Sequence, residues 1–522
     1  MKRKTVKGFI LLIFLSSLAF AQYEDSGKRG EYYSKKNYSG GSIPTFAENK
    51  SKLPLPILED NKDYVDLYWR SWELAFDHFK KPPEGSPFVS NFIDEAFSPS
   101  VFQWDTIFMI MFARYAHNIF PSIGSLDNFY CRQYENGYIC REIWEANGED
   151  YVYEGRANTV NPPLFGWAEI ETYKLTNDKS RFKNILPALE KYAEWLEKFR
   201  KKENTKHNLY WQTGLGSGMD NTPRSGSAWI CMSAQMCMFY KDISFISSEI
   251  GNKEKAEKYL QKSNEIAGKI NQLMWNEEDG LYYDLDDEGN QIKVKTIASF
   301  WPLIAGIADY SKAEKMLDNL KDAKTFWRIV PFPSLAADHK DYAADAKYWL
   351  GGVWAPTNVM VMKGLDKFSQ GYEHSFQYRE FAKLATEIYL DGIYETYKKT
   401  GTIWENYSPE AKWRGVWAQP NFVGWSGCGP IMLLIENVLG IQADASKNEI
   451  TWYLNRIDKH GIENLRFGET TTSLICERRL SVDKPCEVTI KTDKPFKLTV
   501  LNWMKQAITF EIKEGTNVLT ID

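Results

Sequence analysis

The chain has 522 residues, of which 43% are hydrophobic and 25% charged, so it has the composition of an ordinary globular protein with room for a large core. Its formal net charge of −5 leaves no basic surplus to neutralise phosphates, which argues against nucleic acid as a partner. The aromatic content of 19 Trp, 29 Tyr and 29 Phe is unusual, and it fits either a core with many rings or a surface that packs against sugar rings.

The N-terminal residues 1–21 are predicted to form a signal peptide. Four basic residues lie within the first seven positions, an apolar run covers 9–20, and a small-x-small segment permits cleavage after Ala21. The run is too short to span a bilayer, and no later apolar stretch is long enough to do so. We therefore expect an exported protein, periplasmic or secreted, without a membrane span.

Residues 22–58 are polar and rich in Gly, Ser, Lys and Tyr, which predicts an extended N-terminal arm rather than packed structure. From 59 to 440 the pattern is helical; in 253–275, for example, apolar residues recur at three- and four-residue steps. The same pattern in 181–200 contains Pro187, which predicts a kink or a later helix start. Further helices are predicted near 60–80, 103–119, 163–176, 224–249, 296–321, 349–364, 368–398 and 424–438.

Residues 59–440 contain no strong strand signal among these helices, so they predict one large, mainly α domain. Antiparallel helices around a central axis would form a toroid, with the loops at one end free to build a site. After about residue 440 the apolar period changes from 3.6 to 2, as at Val488 and Ile490. Residues 441–522 therefore predict a small antiparallel β domain, similar to a sandwich.

The seven cysteines and six histidines give no metal pattern. Cys131 and Cys140 are close in sequence, as are Cys476 and Cys486, and either pair could form a disulfide. There is no Cys-x-x-Cys motif and the histidines are scattered, so we expect neither a zinc site nor a cofactor. The acidic segment 284–290 is compatible with calcium, but a plain hairpin turn is favoured.

Four loops combine tryptophan or glycine with an acid. The first contains Gln103, Trp104 and Asp105, where a carboxylate beside an indole suits a sugar; the alternative is that Asp105 caps a helix over 106–119. The second, 214–224, has three glycines in five residues followed by an aspartate, and it does not match a phosphate loop.

Asp220 is the acid of this second loop. Pro223 fits the first position of a helix with Thr222 as its cap, so the Asp220 side chain remains available for chemistry. The alternative is a glycine-rich connector with a solvated aspartate. The third loop, 348–358, is rich in rings and glycine, and its Trp354 fits either a pocket wall or the core.

The fourth loop, 401–408, places Glu405 between a tryptophan and a tyrosine, and Trp425 follows as a further candidate ring. Cleavage of a glycosidic bond commonly needs two carboxylic acids, one to protonate the leaving oxygen and one to activate water or attack carbon. Asp220 and Glu405 are distant in sequence, so only the fold can bring them together.

At these loops the sequence resembles the inverting α-glycosidases of glycoside hydrolase families 63 and 37, and most of all bacterial relatives of the mannosylglycerate-hydrolase type. The resemblance covers about 90–440. The Gly-Met-Asp-Asn segment at 218–221 is similar to the family's general-acid loop, and Trp-Glu-Asn-Tyr at 404–407 is similar to its general-base loop. The sugar-binding Trp-Asp is matched at 102–105, and the Gly-rich Trp segment at 348–356.

Asn161 begins an Asn-Pro-Pro segment that looks like the Gln-Pro-Pro segment of trehalases. Trehalases carry an Arg next to this segment, where this chain has Thr159 and Val160, and Arg141 and Arg156 lie upstream. The resemblance implies an (α/α)6 toroid, a six-hairpin barrel, and a site that acts on an oligosaccharide or disaccharide.

The resemblance also implies hydrolysis of an α-linked glucoside or related glycoside with inversion. Asp220 would be the general acid and Glu405 the general base, with carboxyl groups about 6.5–9.5 Å apart. A helix start after Asp220 would oppose this role, because its dipole favours the ionised acid. The predicted substrate-binding residues are Gln103, Trp104, Asp105, Asn161, Trp354 and Trp425. The alternatives are a non-catalytic sugar-binding protein and a polysaccharide lyase on the same scaffold.

Overall fold

The computed structural model describes residues 27–30, 36–95, 97–369, 375–502 and 506–521, so the predicted signal peptide lies outside the described residues. The helices are α1 (Phe46–Asn49), α2 (Lys62–Asp77), α3 (Gln103–Ala113), α4 (Ser125–Cys131), α5 (Phe165–Thr176), α6 (Ser180–Arg200), α7 (Ile230–Glu249), α8 (Lys253–Leu273), α9 (Trp301–Ile304), α10 (Tyr310–Lys321), α11 (Ala355–Phe368) and α12 (Ser375–Thr400). A 3-10 turn (Trp425–Cys428) and a π-helix (Gly429–Val438) complete the helical part.

The strands are short among the helices and longer after them. They are β1 (Leu55–Leu58), β2 (Phe79–Lys80), β3 (Phe92–Ile93), β4 (Ser100–Phe102), β5 (Glu142–Trp144), β6 (Trp275–Asn276), β7 (Leu281–Tyr282), β8 (Asp284–Leu285), β9 (Gln291–Ile292), β10 (Ile441–Asp444), β11 (Glu449–Tyr453), β12 (His460–Phe467), β13 (Thr470–Cys476), β14 (Cys486–Thr492), β15 (Phe496–Leu501), β16 (Ala507–Ile512) and β17 (Gly515–Ile521). The helix-rich part followed by a β-sheet region confirms the coarse fold predicted from the periodicity.

Two kinds of helix follow from two kinds of sequence. α3 is apolar on all sides, and all of its residues are buried. α8 instead has one apolar face and one face of lysine and glutamate, and Asn252 caps it by accepting a hydrogen bond from the Lys255 N–H at 3.1 Å. The predicted bounds of this helix differ from the observed ones only at its C-terminal end.

Two helix predictions need correction. α6 begins at Ser180 and runs unbroken to Arg200 with Pro187 inside it, so the proline does not mark the start of the helix. The predicted helix over 296–321 is two separate helices, α9 and α10, and Asp309 caps the second by accepting from the Lys312 N–H at 2.9 Å.

The buried helices contact one another in chain order. α3 contacts α5, α5 contacts α7, α7 contacts α9, and α9 contacts α11. α11 in turn contacts the 3-10 turn and the π-helix, and the 3-10 turn contacts α3. The amphipathic helices pack outside this series; α2, for example, is tied to α12 by the Tyr64 hydroxyl, which donates to Asp391 Oδ1 at 2.7 Å.

The β region consists of two sheets. One has five antiparallel strands in the order β1-β12-β13-β14-β17, and the other has four in the order β10-β11-β15-β16. The second sheet departs from the antiparallel prediction, because β11 and β15 run parallel. The first sheet includes β1 from the predicted N-terminal arm, which pairs antiparallel with β12 through Leu55↔Glu463 to Leu58↔His460. The end of that arm is therefore packed structure.

All seven cysteines are buried free thiols. The thiols of Cys131 and Cys140 donate to separate backbone carbonyls, and the Cys476 thiol donates to Glu477 O at 3.5 Å. Interaction with Cys476 lowers the pKa of Cys486 to about 7. The segment 284–290 forms the predicted hairpin turn between β8 and β9. None of the described helices is both long and apolar enough to cross a bilayer.

A buried ion-pair cluster joins the C-terminal parts of α3, α5, α11 and the π-helix. Arg114, at the end of α3, binds Glu171 of α5 at 3.1 Å and Glu436 of the π-helix at 2.6 Å. Lys363 of α11 pairs with the same two glutamates. Arg114 and Glu436 are only 5% and 3% exposed, so their contact lies in a dry environment, and without Arg114 only Lys363 would neutralise Glu436.

We predict that Arg114→Met destabilises the protein by about 1–3 kcal/mol, because it removes buried charge-assisted hydrogen bonds to Glu171 and Glu436 while Lys363 still neutralises both. Urea unfolding followed by tryptophan fluorescence measures the change. The matched control is Lys494→Met, since Lys494 pairs with Glu469 on the open surface and should cost less than about 1 kcal/mol. Equal effects of the two substitutions would contradict the role given to the cluster.

Candidate active site

Asp220 lies in a glycine-rich turn, residues 214–222, that packs against an aromatic ring. Gly218 has φ +73°, and a Cβ atom there would lie 2.9 Å from Trp104 Cε2. Gly214 is equally restricted, because its Cβ would meet the carbonyl oxygen of Asp220 at 2.4 Å. Only glycine permits both approaches, so the turn rests on Trp104 and holds Asp220 half-buried.

Residues 221–229, all of them described, are not helical, contrary to the prediction that Pro223 starts a helix. α7 begins at Ile230, whose N–H donates to Asp284 Oδ1 at 2.8 Å, and Arg224 binds the same carboxylate at 2.8 and 2.9 Å. A contact between distant parts of the chain therefore sets the start of this helix. Asp220 does not lie at a positive helix end, and the expected dipole effect on its proton does not arise.

Glu405 lies in a loop after α12, the Trp-Glu loop (residues 401–420), and backbone groups hold it. The Glu405 N–H donates to Gln419 O at 3.0 Å, and the Gln419 N–H donates to Glu405 Oε2 at 3.1 Å. The Glu405 carbonyl accepts from Trp425 Nε1 at 2.9 Å. Since Glu405 is 4% exposed, these contacts fix the orientation of a carboxyl group that has little access to bulk water.

A strained backbone segment lies beside both loops. Ala346, Lys347 and Tyr348 have φ values of 78°, 34° and 68°, three consecutive residues in the left-handed region. Residues other than glycine rarely adopt this conformation, and it persists only where the surroundings hold it in place. The segment therefore needs external support, and hydrogen bonds from the two loops provide it.

Asn221 gives this support from the glycine-rich turn. Its Nδ2 donates to Lys347 O at 3.0 Å and its Oδ1 accepts from the Trp349 N–H at 2.8 Å. From the Trp-Glu loop, the Val416 N–H donates to Asp345 O at 2.9 Å. The strained segment is thus a bridge, and it fixes the glycine-rich turn relative to the Trp-Glu loop.

Tyr348 connects the acids of these loops electrostatically. Its pKa is raised first by burial and then by the negative charges of Asp220, Glu405 and Asp105. The Tyr348 phenol therefore interacts electrostatically with three carboxyl groups that are far apart in sequence. The structure brings Asp220, Glu405 and Asp105 into one neighbourhood, as the sequence predicted.

The acids of this neighbourhood hold their protons unusually strongly. Burial raises the pKa of Asp220 to about 6, and the positive charge of Arg141 opposes the shift. Burial likewise raises the pKa of Glu405 to about 7; the Gln419 N–H opposes this shift and the charge of Asp220 adds to it. The pKa of Asp105 lies well above its ordinary value because of burial and the charge of Glu405.

The aromatic residues of the site are less exposed than predicted. Trp354 is 0% exposed: it stacks on Trp349 at 4.0 Å, and Trp425 lies 5.7 Å away at 66°. A ring without free surface cannot stack on a sugar, so the prediction that Trp354 binds substrate is wrong, and the ring supports the wall from behind. Trp104 and Trp425, at 4% and 5%, keep a narrow exposed edge.

Gln103 and Asn161 are also buried too completely to reach a ligand. Gln103 Nε2 donates to Pro162 O at 3.0 Å, and Asn161 Nδ2 donates to Gly216 O at 3.2 Å. These bonds tie the starts of α3 and α5 to the glycine-rich turn. The prediction that both side chains bind substrate is therefore corrected: in the structure they position the turn that carries Asp220.

Asp105 lies in the first turn of α3, which begins at Gln103, so it is not the helix cap that the sequence allowed. A second acid near it was missed. Glu95 is 2% exposed, and its pKa lies well above the ordinary value because of burial and the charges of Asp94 and Asp105. Nothing in the sequence around Glu95 distinguishes it from a surface glutamate.

Arg141 is the second residue that the sequence could not place. Its charge acts on Asp220, Asp105 and Tyr348, and its NH2 lies 3.4 Å from Glu142 Oε2. Arg156, the other arginine upstream of Asn161, pairs instead with Asp150 at 3.2 Å. Of the two arginines, Arg141 is the one whose charge acts on Asp220 and Asp105.

Comparison with known proteins agrees with this site. Residues 102–418 match the family described as the mannosylglycerate hydrolase MGH1-like glycoside hydrolase domain, and the match covers both candidate acids and more than half of the chain. An uncharacterised protein of Borreliella burgdorferi is 26% identical over 484 residues, which are 91% of this chain and 99% of that protein. A probable mannosyl-oligosaccharide glucosidase of Schizosaccharomyces pombe is 24% identical over 41% of this chain and 28% of its own length.

The fold has relatives among solved structures. The family 63 mannosylglycerate hydrolase of Thermus thermophilus, solved with glucose, superposes with a TM-score of 0.55 and 17% identity over 70% of this chain and 99% of that one. The family match over more than half of the chain defines the class of the protein as a glycoside hydrolase. The chain belongs to the mannosylglycerate hydrolase MGH1-like glycoside hydrolases, which confirms the family resemblance seen in the sequence.

We predict that Arg141→Met raises the pKa of Asp220 above about 6, because it removes the positive charge that stabilises the ionised carboxylate. If Asp220 acts in its protonated form, the alkaline limb of the pH–rate profile moves to higher pH. The profile of kcat/KM measures the shift, with Arg141→Lys as the control that keeps the charge. An unchanged alkaline limb in Arg141→Met would contradict the contact between Arg141 and Asp220.

Proposed function

We propose that the protein hydrolyses an α-linked glucoside or related α-glycoside with inversion, using Asp220 as general acid and Glu405 as general base. The observation that carries the proposal is the electrostatic coupling of two distant, buried carboxyl groups, since the charge of Asp220 raises the pKa of Glu405. Both lie within the family match. The substrate class is an oligosaccharide or disaccharide.

In this mechanism Asp220 donates its proton to the leaving oxygen while Glu405 removes a proton from water on the opposite face of the sugar. The carboxyl groups must then be about 6.5–9.5 Å apart, which leaves room for the water. The Tyr348 hydroxyl, which interacts electrostatically with both acids, would stabilise the negative charge that develops on Asp220 as its proton leaves. Trp104 and Trp425 supply ring edges against which the sugar packs.

The protonation states set the working pH. Glu405 acts ionised and loses activity as pH falls below its pKa of about 7, while Asp220 acts protonated and loses activity as pH rises above its pKa of about 6. The productive form is thus about a tenth of the singly protonated enzyme, since one pKa unit is a factor of ten. Activity should be greatest between pH 6 and pH 7.

The fold that carries this chemistry is, in our proposal, an (α/α)6 toroid. The closed series of contacts from α3 through α11 and the π-helix back to α3 would form the inner ring, and α2, α6, α8, α10 and α12 the outer one. The candidate acids lie in loops that precede inner helices: Asp220 precedes α7, and Glu405 precedes the π-helix. We also propose that the protein is exported after cleavage behind Ala21, on the strength of the predicted signal peptide.

We predict that hydrolysis inverts the configuration at the anomeric carbon. Proton NMR of a panel of α-linked disaccharides and oligosaccharides, mixed with the enzyme, should show the β-anomer of the released sugar before mutarotation. The same spectra identify the substrate. First appearance of the α-anomer would contradict inversion, and an unsaturated product would indicate a lyase instead of a hydrolase.

The second prediction concerns the two acids. Asp220→Asn and Glu405→Gln should each lower kcat by a factor on the order of 10²–10⁴ on the substrate found by NMR, because each removes one proton-transfer group. Glu203→Gln, at an exposed position, is the matched control and should keep full activity. If either active-site variant retains its kcat while remaining folded by thermal melting, its assigned role is wrong.

A further inference from the structure

A second cavity lies at the opposite ends of the helices from the candidate acids. Its volume is about 750 Å³, and it separates the helical part from the four-stranded sheet. The C-terminal ends of α5 and α11 contribute Leu175 and Ser369, and strands β11 and β15 contribute Thr451 and Thr499. This volume is in the range of small-molecule sites, and polar groups line much of it.

Most charges around this cavity are already paired. On the helical side, Arg114 and Lys363 bind Glu171 and Glu436, and Lys174 binds Glu171 at 2.7 Å. These three cations and two carboxylates form one cluster. Each of its carboxylates has a cation within ion-pair distance, so the cluster contains no unpaired carboxylate.

The carboxylates on the sheet side have partners as well. Asp444 pairs with Lys447 at 3.1 Å, and Glu449 accepts from the Thr499 hydroxyl at 2.6 Å. Lys447 therefore neutralises Asp444, whereas Glu449 is hydrogen-bonded to a neutral hydroxyl and keeps its charge. The threonine hydroxyls and the amide side chains of this wall remain as neutral hydrogen-bonding groups.

Arg379 is the exception. It lines the cavity and is 4% exposed, yet Nε and both terminal nitrogens have no hydrogen-bond partner among the described residues. The ring of Tyr453 lies 5.4 Å from its guanidinium carbon. Asp366 forms no ion pair with Arg379 among the described residues. Its oxygens accept from Asn437 and Gln442, each at 3.2 Å, and the charge of Arg379 lowers the raised pKa of Asp366 without a direct contact.

An unpaired buried guanidinium is costly, since its charge is removed from water without compensation. Its planar set of donors matches two oxygens of one carboxylate or phosphate. We infer that this cavity is a second binding site, separate from the candidate active site, for a small molecule with a phosphate or carboxylate group that binds Arg379. The ligand would bridge the helical part and the four-stranded sheet.

The test uses the full chain with two probes, inorganic phosphate and acetate, and with sodium chloride at equal ionic strength as the control. Phosphate or acetate, or both, should raise the melting temperature of the wild-type protein saturably by a few degrees. The same additions should not affect Arg379→Met. Which probe binds identifies the oxyanion. The absence of saturable stabilisation by both probes, up to tens of millimolar, would overturn the inference.

The stability of Arg379→Met provides a second, independent criterion. If Arg379 awaits a ligand, its replacement removes an uncompensated charge, and without anion the variant should melt at or above the wild-type temperature. Arg114→Met, from the paired cluster beside it, should melt well below. A drop comparable to that of Arg114→Met, or failure of Arg379→Met to fold, would assign Arg379 a structural role and overturn the inference. Glycoside hydrolysis by Arg379→Met should be unchanged, so this test is separate from that of the active site.

Discussion

A carboxyl group that is buried without an ion-pair partner keeps its proton to higher pH than one in water. Among the described residues, neither Asp220 nor Glu405 is in an ion pair, and burial is the largest cause of both raised pKa values. The rest of the site keeps the carboxyl groups in this state, because backbone amides, a phenol and ring edges surround them. Arg141 limits the shift at Asp220 and thereby keeps ionisation within reach of neutral pH.

The helices separate two kinds of buried charge. In the loops before α7 and the π-helix, Asp220 and Glu405 have no ion-pair partner among the described residues and can exchange protons. Near the C-terminal ends, Arg114, Lys363, Glu171 and Glu436 neutralise one another and hold four elements together. Buried acids thus have two roles in this protein. An acid without a nearby cation can exchange a proton, whereas an acid paired with a cation holds helices together.

Periodicity predicted most of the helices because a buried stripe repeats locally, as in α8. Periodicity failed where a contact between distant residues determines the structure. The start of α7 depends on Asp284, and the full burial of Trp354 depends on Trp425 as well as on Trp349 of its own loop. The motifs indicated Asp220, Glu405 and Asp105, which interact electrostatically in the structure, and their roles in the site stay predictions. They could not indicate Arg141 or Glu95, whose neighbours in sequence have no recognisable pattern.

The pairing of β1 with β12 has a consequence for how the chain acquires its structure. Next to this pair, the Asp60 N–H donates to Asp458 across 398 residues. During synthesis from the N-terminus, β1 can pair with β12 only after nearly the whole polypeptide has emerged. Long-range pairing of this kind slows folding and leaves an unsatisfied strand exposed in the meantime. β1, a strand of four residues near the N-terminus, therefore completes its pairing only in the last stage of folding.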